Sequence, residues 1–142
     1  MKVAFFARGV RAPRVEASAR RGIEAVMRKH RVRTTGELNV IWVSRTALRA
    51  LGRKFRKADK FTDVISFRYE DAFPGSPFGD LYISPEQARL NAKRFGVPPA
   101  EELVRLCVHG ALHLLDYRDY KPAERAKMWA VQEPIVRSVL AR

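Results

Sequence analysis

The stretch HGALHLLDYRD, residues 109–119, gathers four side chains able to hold a metal ion. His109 and His113 sit four apart in an apolar run, and Asp116 and Asp119 come after them. On an α-helix, residues four apart lie about 40° apart in rotation and roughly 6 Å along the axis, so both imidazoles can face one ion. Neutral imidazole is a common ligand for zinc and its neighbours. Two core histidines, each bonded to a carbonyl or carboxylate, are the plainer alternative; the nearby acids shift the balance toward metal. Zinc peptidases of the HExxH type carry a glutamate after the first histidine. Gly110 stands there instead, which argues against peptidase chemistry.

Three residues compete as third ligand. Cys107 lies about 200° round the helix from His109, so it faces away and reads as a small core residue. Asp116, if the helix continued, would lie about 10 Å along the axis from His109, long for a short carboxylate. An aspartate at a helix C-terminus also opposes the dipole. Asp119 lies past the expected helix end, and a turn through DYRD can bring it back over the histidines. Geometry favours Asp119, leaving Asp116 as a surface group or a support to the ligands, and Arg118 as a solvated charge.

Positioning these groups falls to an α+β or α/β layered fold of about four strands and five helices. KVAFFA (2–7), ELNVIWVS (37–44), TDVISF (62–67) and DLYIS (80–84) read as strands. The third is almost continuously apolar, which predicts a central place in the sheet. Helical spacing runs from Pro13 to about residue 30, and from Arg45 to about Phe55 behind the N-cap Ser44. Ser84-Pro85-Glu86-Gln87 has the pattern of a capping box, opening a helix that stops at Gly96. The histidine helix starts near Pro99. A last helix runs from about Pro122 to Leu140, with Pro134 a potential kink. LVRLCVHGALHLL is apolar nearly all round, so that helix is expected to be buried on the sheet.

The chain has 142 residues, the length of one domain, 1–142, and is 46% apolar. Its 28 Lys+Arg against 15 Asp+Glu leave a formal charge of +13. Such a balance points to a polyanion partner, nucleic acid ahead of an anionic membrane surface. The single cysteine leaves no disulfide partner and suits a reducing compartment. VAFFA is too short for a signal peptide's apolar region, and no run reaches transmembrane length. A cytoplasmic protein is expected.

The 109–119 segment resembles the signature of the YbeY-like bacterial rRNA maturation factors, H-G-x-L-H-L-x-G-Y-D-H, matching it at positions 109, 110, 112, 113, 114 and 117. Upstream, LGRKFRKADKFTDVISF resembles the family's L-N-x-x-[YF]-R…K-x-T-D-V-L-S-F, and FGDLYIS its L-G-D-I-x-I-S. The three motifs occur in order and cover about 51–120. The family's third histidine ligand falls on Asp119, the aspartate before it on Arg118, the helix-ending glycine on Asp116, and the asparagine of L-N on Gly52. The resemblance implies one zinc ion on His109, His113 and Asp119. A two-histidine, one-carboxylate set also accepts iron, manganese or nickel.

The resemblance further implies a metal-dependent, single-strand-specific endoribonuclease acting in 16S rRNA 3′ maturation and ribosome quality control. Its partners would be single-stranded RNA, rRNA and the small ribosomal subunit. His113 would serve catalysis as well as metal binding, and Arg56 matches the family's arginine, suited to charge growing on phosphate. Asp63 and Asp80, at the starts of DVISF and DLYIS, are candidates for base or ligand support, or simply cap turns. Ser66 lines the cleft or merely alternates in a strand.

Arg45, Arg49, Arg53, Lys54, Arg56 and Lys57 supply a basic surface, the first three sharing one helix face. Like charges at that spacing repel, so a bound polyanion relieves a cost. Arg20, Arg21, Arg28, Lys29, Arg31 and Arg33 form a second cluster. Phosphate contacts do not read sequence; single-strand preference needs stacking aromatics, for which Tyr69, Phe73 and Phe78 are candidates. The competing readings are a non-catalytic RNA-binding ribosome-assembly factor with an altered metal site, and a metallohydrolase of another substrate.

Overall fold

A computed structural model describes residues 1–55, 62–70 and 72–141. The described elements, in chain order, are β1 (Lys2–Ala7), α1 (Glu16–Lys29), β2 (Glu37–Trp42), α2 (Arg45–Phe55), β3 (Val64–Arg68), β4 (Gly79–Ile83), α3 (Pro85–Phe95), α4 (Pro99–Leu114) and α5 (Pro122–Leu140). The strands form one mixed sheet in the order β1-β2-β4-β3. β1 and β4 run parallel to β2, with Val40 opposite Phe5 on one side and Leu81 on the other. β3 runs antiparallel to β4. The fold is α+β.

β3 therefore lies at an edge, not at the centre as its apolar run suggests. Its apolar residues answer to helices on both faces rather than to strands on both sides. Val64 joins the large core beneath α4, while Ile65 and Phe67 turn to a second cluster with Leu48 and Leu51 of α2. Ring edges continue that second layer, from Phe55 to Phe67 and on to Tyr82.

α4 is the hub, packed against α1, α3, α5, β3 and β4. Leu103, Val104, Leu106, Cys107, Val108, Ala111, Leu112 and Leu114 are all buried along it. Gly110 lets it lie close to the sheet: a Cβ there would meet Val64 Cγ2 at 3.0 Å and Leu81 Cδ2 at 3.1 Å. The Ser66 hydroxyl donates to the Gly110 carbonyl at 3.1 Å and pins the same turn to β3.

The helix ends obey local chemistry. Ser44 Oγ accepts from Ala47 N–H at 3.0 Å, and Ser84 Oγ from Gln87 N–H at 3.1 Å. The Gln87 side chain does not return to complete the capping box; its Oε1 accepts from Arg45 Nε at 2.8 Å, tying α3 to α2. α1 starts at Glu16, three positions after Pro13. Gly96 closes α3 at φ 68°, and α5 continues through Pro134.

At the end of α4 the chain turns sharply. Asp116 adopts φ 68°, Asp116 N–H donates to His113 O at 3.1 Å, and Tyr117 N–H to Leu112 O at 3.2 Å. This is a Schellman closure with an aspartate in the left-handed position that glycine usually fills. Asp116→Gly is expected to raise stability by about 0.5–1 kcal/mol, by relieving that conformation. Chemical denaturation checks it; a comparable loss would show that the carboxylate makes an offsetting bond.

Candidate metal centre

The left-handed turn at Asp116 reverses the chain, and Asp119 comes back over the exposed ends of the two histidines. Asp119 Oδ2 lies 3.3 Å from His109 Nε2 and 3.5 Å from His113 Nε2. The two Nε2 atoms are 3.0 Å apart. Among the described residues these three form a group of ligand atoms able to share one ion. Tetrahedral ligands at about 2.0–2.1 Å from zinc sit roughly 3.3 Å from one another, so the observed triangle fits such a centre.

Ring orientation decides whether the nitrogens can ligate. His109 Nδ1 lies 2.7 Å from Gln132 Oε1. Gln132 Nε2 donates to Glu133 Oε2 at 2.9 Å, which fixes the amide so that Oε1 faces the imidazole. His113 Nδ1 lies 2.9 Å from the Tyr117 carbonyl oxygen. Both partners accept only, so a neutral ring at either position carries its proton on Nδ1 and turns Nε2 toward the triangle. Two lone pairs and a carboxylate aimed at one point repel unless a cation lies between them.

Outer contacts hold this arrangement. Arg105 binds Glu133 through Nε at 3.0 Å and Nη2 at 2.9 Å, and also reaches Glu101 and Glu102. Burial raises the Glu133 carboxyl, but hydrogen bonds from Arg105 and Gln132 outweigh it and hold the group below its usual value. Burial pushes the Glu102 carboxyl up, with Arg105 opposing. On the other side, His30 Nε2 lies 2.8 Å from the Tyr117 hydroxyl, and His30 Nδ1 lies 2.8 Å from Val26 O. α1 thus steadies the residue whose carbonyl orients His113. Sequence reasoning missed Gln132, Glu133, Arg105 and His30; nothing in their local sequence signals the role, because each acts through contacts between elements.

Two cavities open on the centre. One of about 620 Å³ is lined by His113, Ser66, Asp116, Arg68, Arg118 and Phe55, among others. The other, of about 210 Å³, has His109, Asp119, Asp63 and Gln132 in its wall. Asp63 and Ser66 thus border different cavities, Asp63 the one with His109 and Asp119, Ser66 the one with His113. Asp80 borders neither cavity: it accepts from Asn39 Nδ2 at 3.1 Å and from the Tyr69 hydroxyl at 2.6 Å, anchoring the loop after β3. That bond pushes the Tyr69 hydroxyl up to about 12. Phe78 is buried beneath the Arg68 guanidinium, whereas Phe73 is exposed. Cys107 is fully buried, and burial pushes its thiol up to about 12, in keeping with a core residue rather than a ligand.

Of the basic residues on α2, Arg45 bonds Gln87 and Lys54 lies over the Phe55 ring. Arg49 and Arg53 border neither cavity. Arg56 and Lys57, read from the sequence as phosphate-facing, lie outside the described residues.

An α+β protein with two helix-borne histidines, an aspartate returning over them and a strongly basic chain is the class that fold and site define. The family model for endoribonuclease YbeY matches residues 7–140. An Endoribonuclease YbeY from Acholeplasma laidlawii is 39% identical over 99 residues, covering 70% of this chain and 72% of that protein. One from Parabacteroides distasonis is 34% identical over 129 residues, covering 90% and 89%. The solution structure of a Thermotoga maritima protein superposes with TM-score 0.67 at 25% identity, covering 98% of this chain and 89% of the other. The chain belongs to the endoribonuclease YbeY family.

If Gln132 orients His109 for a metal, Gln132→Ala should lower zinc affinity about 10- to 100-fold, with the helical signal unchanged. Competition with a chromophoric chelator measures it, and Gln132→Glu, which still accepts the Nδ1 proton, should recover most of the loss. Unchanged affinity in Gln132→Ala would remove Gln132 from the site.

Proposed function

We propose that this protein is a metal-dependent endoribonuclease of single-stranded RNA, acting in 16S rRNA 3′ maturation and ribosome quality control on the small ribosomal subunit. The observation that carries this reading is the triangle of His109 Nε2, His113 Nε2 and Asp119 Oδ2, 3.0–3.5 Å on a side, in a chain of the endoribonuclease YbeY family. The ion we assign is zinc, with iron, manganese or nickel the alternatives for this donor set.

When bound, zinc supplies Lewis-acid polarisation of a phosphate oxygen and makes water more acidic. The remaining work belongs to the protein. His109, His113 and Asp119 would hold the ion, and the two cavities that border them leave room for substrate. The Asp63 carboxylate is in the wall that holds His109 and Asp119, and we assign it as acceptor of the proton leaving the attacking water. We assign Arg56 to the charge that grows on phosphate. Arg68 and Arg118, in the larger cavity, suit the sugar-phosphate backbone. With +13 overall, RNA affinity should fall steeply and linearly in log affinity against log salt. No helix of the described residues is long and apolar enough to cross a membrane, and we expect the protein in the cytoplasm with the ribosome.

The test is cleavage of an unstructured RNA and of its duplex by zinc-loaded protein. Wild type should cut the single strand and spare the duplex. His113→Ala and Asp119→Ala should lose cleavage by a factor of about 100 or more while folding normally. Asp119→His, which places a third imidazole in the triangle, should keep it. RNA that binds wild type without being cut, whatever the metal supplied, would return the protein to the class of non-catalytic assembly factors.

A further inference from the structure

The smaller cavity has a character that the metal centre does not require. Behind His109 and Asp119 its floor is Leu106 and Met128, both buried, and its rim carries Trp129 and Phe95. These two rings come from different helices, α5 and α3, and are 58% and 61% exposed. Large aromatic rings left in water at the mouth of an apolar pocket mark a surface that gains from being covered. At about 210 Å³ the pocket falls below the roughly 300–1,000 Å³ of sites for drug-sized ligands, so it takes one flat ring system.

Charge narrows the occupant. Arg125 borders the same pocket, its Nη1 donating to the Tyr120 carbonyl at 3.1 Å; of the other charged groups in the wall, Arg105 is ion-paired with Glu102, and Asp63 and Asp119 lie on the side of the metal triangle. On the far side of the triangle the larger cavity offers Arg68 and Arg118. A ligand that spans the centre thus meets arginines on both sides; Phe55 and Tyr120 border the larger, more polar cavity, and the small pocket floored by carbon lies on the Leu106 and Met128 side. A nucleotide chain matches that pattern, with phosphate at the metal, backbone along the arginines and one base turned aside.

We propose that the pocket between α3 and α5 is a base-stacking subsite, in which Trp129 and Phe95 hold the nucleobase next to the phosphate that is cut. This subsite rests on the endoribonuclease reading and deepens it. It also supplies a physical source for single-strand preference, because a base held in a duplex stack cannot enter. The aromatic residues singled out in the sequence do not fill this role: Phe78 is buried, and neither Tyr69 nor Phe73 borders the cavities that open on the centre.

The two tryptophans make the test direct, since Trp42 is fully buried and Trp129 is exposed. Metal-free protein, kept inactive with chelator, is titrated with a short oligouridylate and with an abasic ribose-phosphate oligomer of equal length. The oligouridylate should quench tryptophan emission and the abasic oligomer should not. Trp129→Ala should abolish the quench and weaken oligouridylate binding about 5- to 100-fold, with Trp129→Phe close to wild type in affinity. In the zinc-loaded enzyme, Trp129→Ala should raise KM by a similar factor and change kcat little.

Equal quenching by the abasic oligomer, or a Trp129→Ala KM within twofold of wild type, would overturn the subsite and leave the aromatic pair to a partner other than RNA. Failure of wild type to cut any RNA would instead defeat the endoribonuclease reading, and the quenching comparison would still decide whether a base enters the pocket.

Discussion

The constraint on which the site depends is the placement of two protons. His109 gives its Nδ1 proton to Gln132 and His113 gives its own to the Tyr117 carbonyl, so both Nε2 lone pairs must face the same point. At 3.0 Å that meeting is unfavourable in itself, and the Asp119 carboxylate adds negative charge to it. A bound cation turns three repulsions into three bonds. The fold therefore stores a preference for metal that is set by hydrogen bonds made away from the metal.

Those hydrogen bonds explain the surrounding architecture. α4 must lie deep enough for its histidines to reach α5 on one side and the returning chain on the other. Gly110 and the Ser66 bond allow this by bringing the helix close to β3 and β4. Arg105 then joins α4 to α5 through Glu133, which also receives the Gln132 amide. The charged cluster and the imidazole are thereby one connected network, and a change in the clamp reaches the ligand through a single side chain. At the other end, the left-handed Asp116 sets the return of both Tyr117 and Asp119. One backbone conformation thus supplies an orienting carbonyl and the third member of the triangle together.

Much of this is legible in the sequence because it is local. The four-residue spacing of His109 and His113, the Ser84 cap, the Gly96 stop and the chain reversal after the histidines all obey short-range rules. The exclusion of Cys107 likewise needs only helix geometry. What stays hidden depends on contacts across the chain. Gln132 is 23 positions from His109, and His30 is 87 from Tyr117. The place of β3 is misread from the sequence for a related reason: an apolar run reports that both faces are covered, and here helices cover them. The sequence leaves Asp80 open between a site acid and a turn cap; its carboxylate accepts hydrogen bonds from Asn39 and Tyr69.

Metal binding here requires the two imidazoles to act as a matched pair, and nitrogen resonances of the histidine rings test that directly. In protein carrying one equivalent of zinc, His109 and His113 should both hold the proton on Nδ1, and both Nε2 signals should move together as the metal is added. A ring protonated on Nε2, or a shift confined to one histidine, would contradict it.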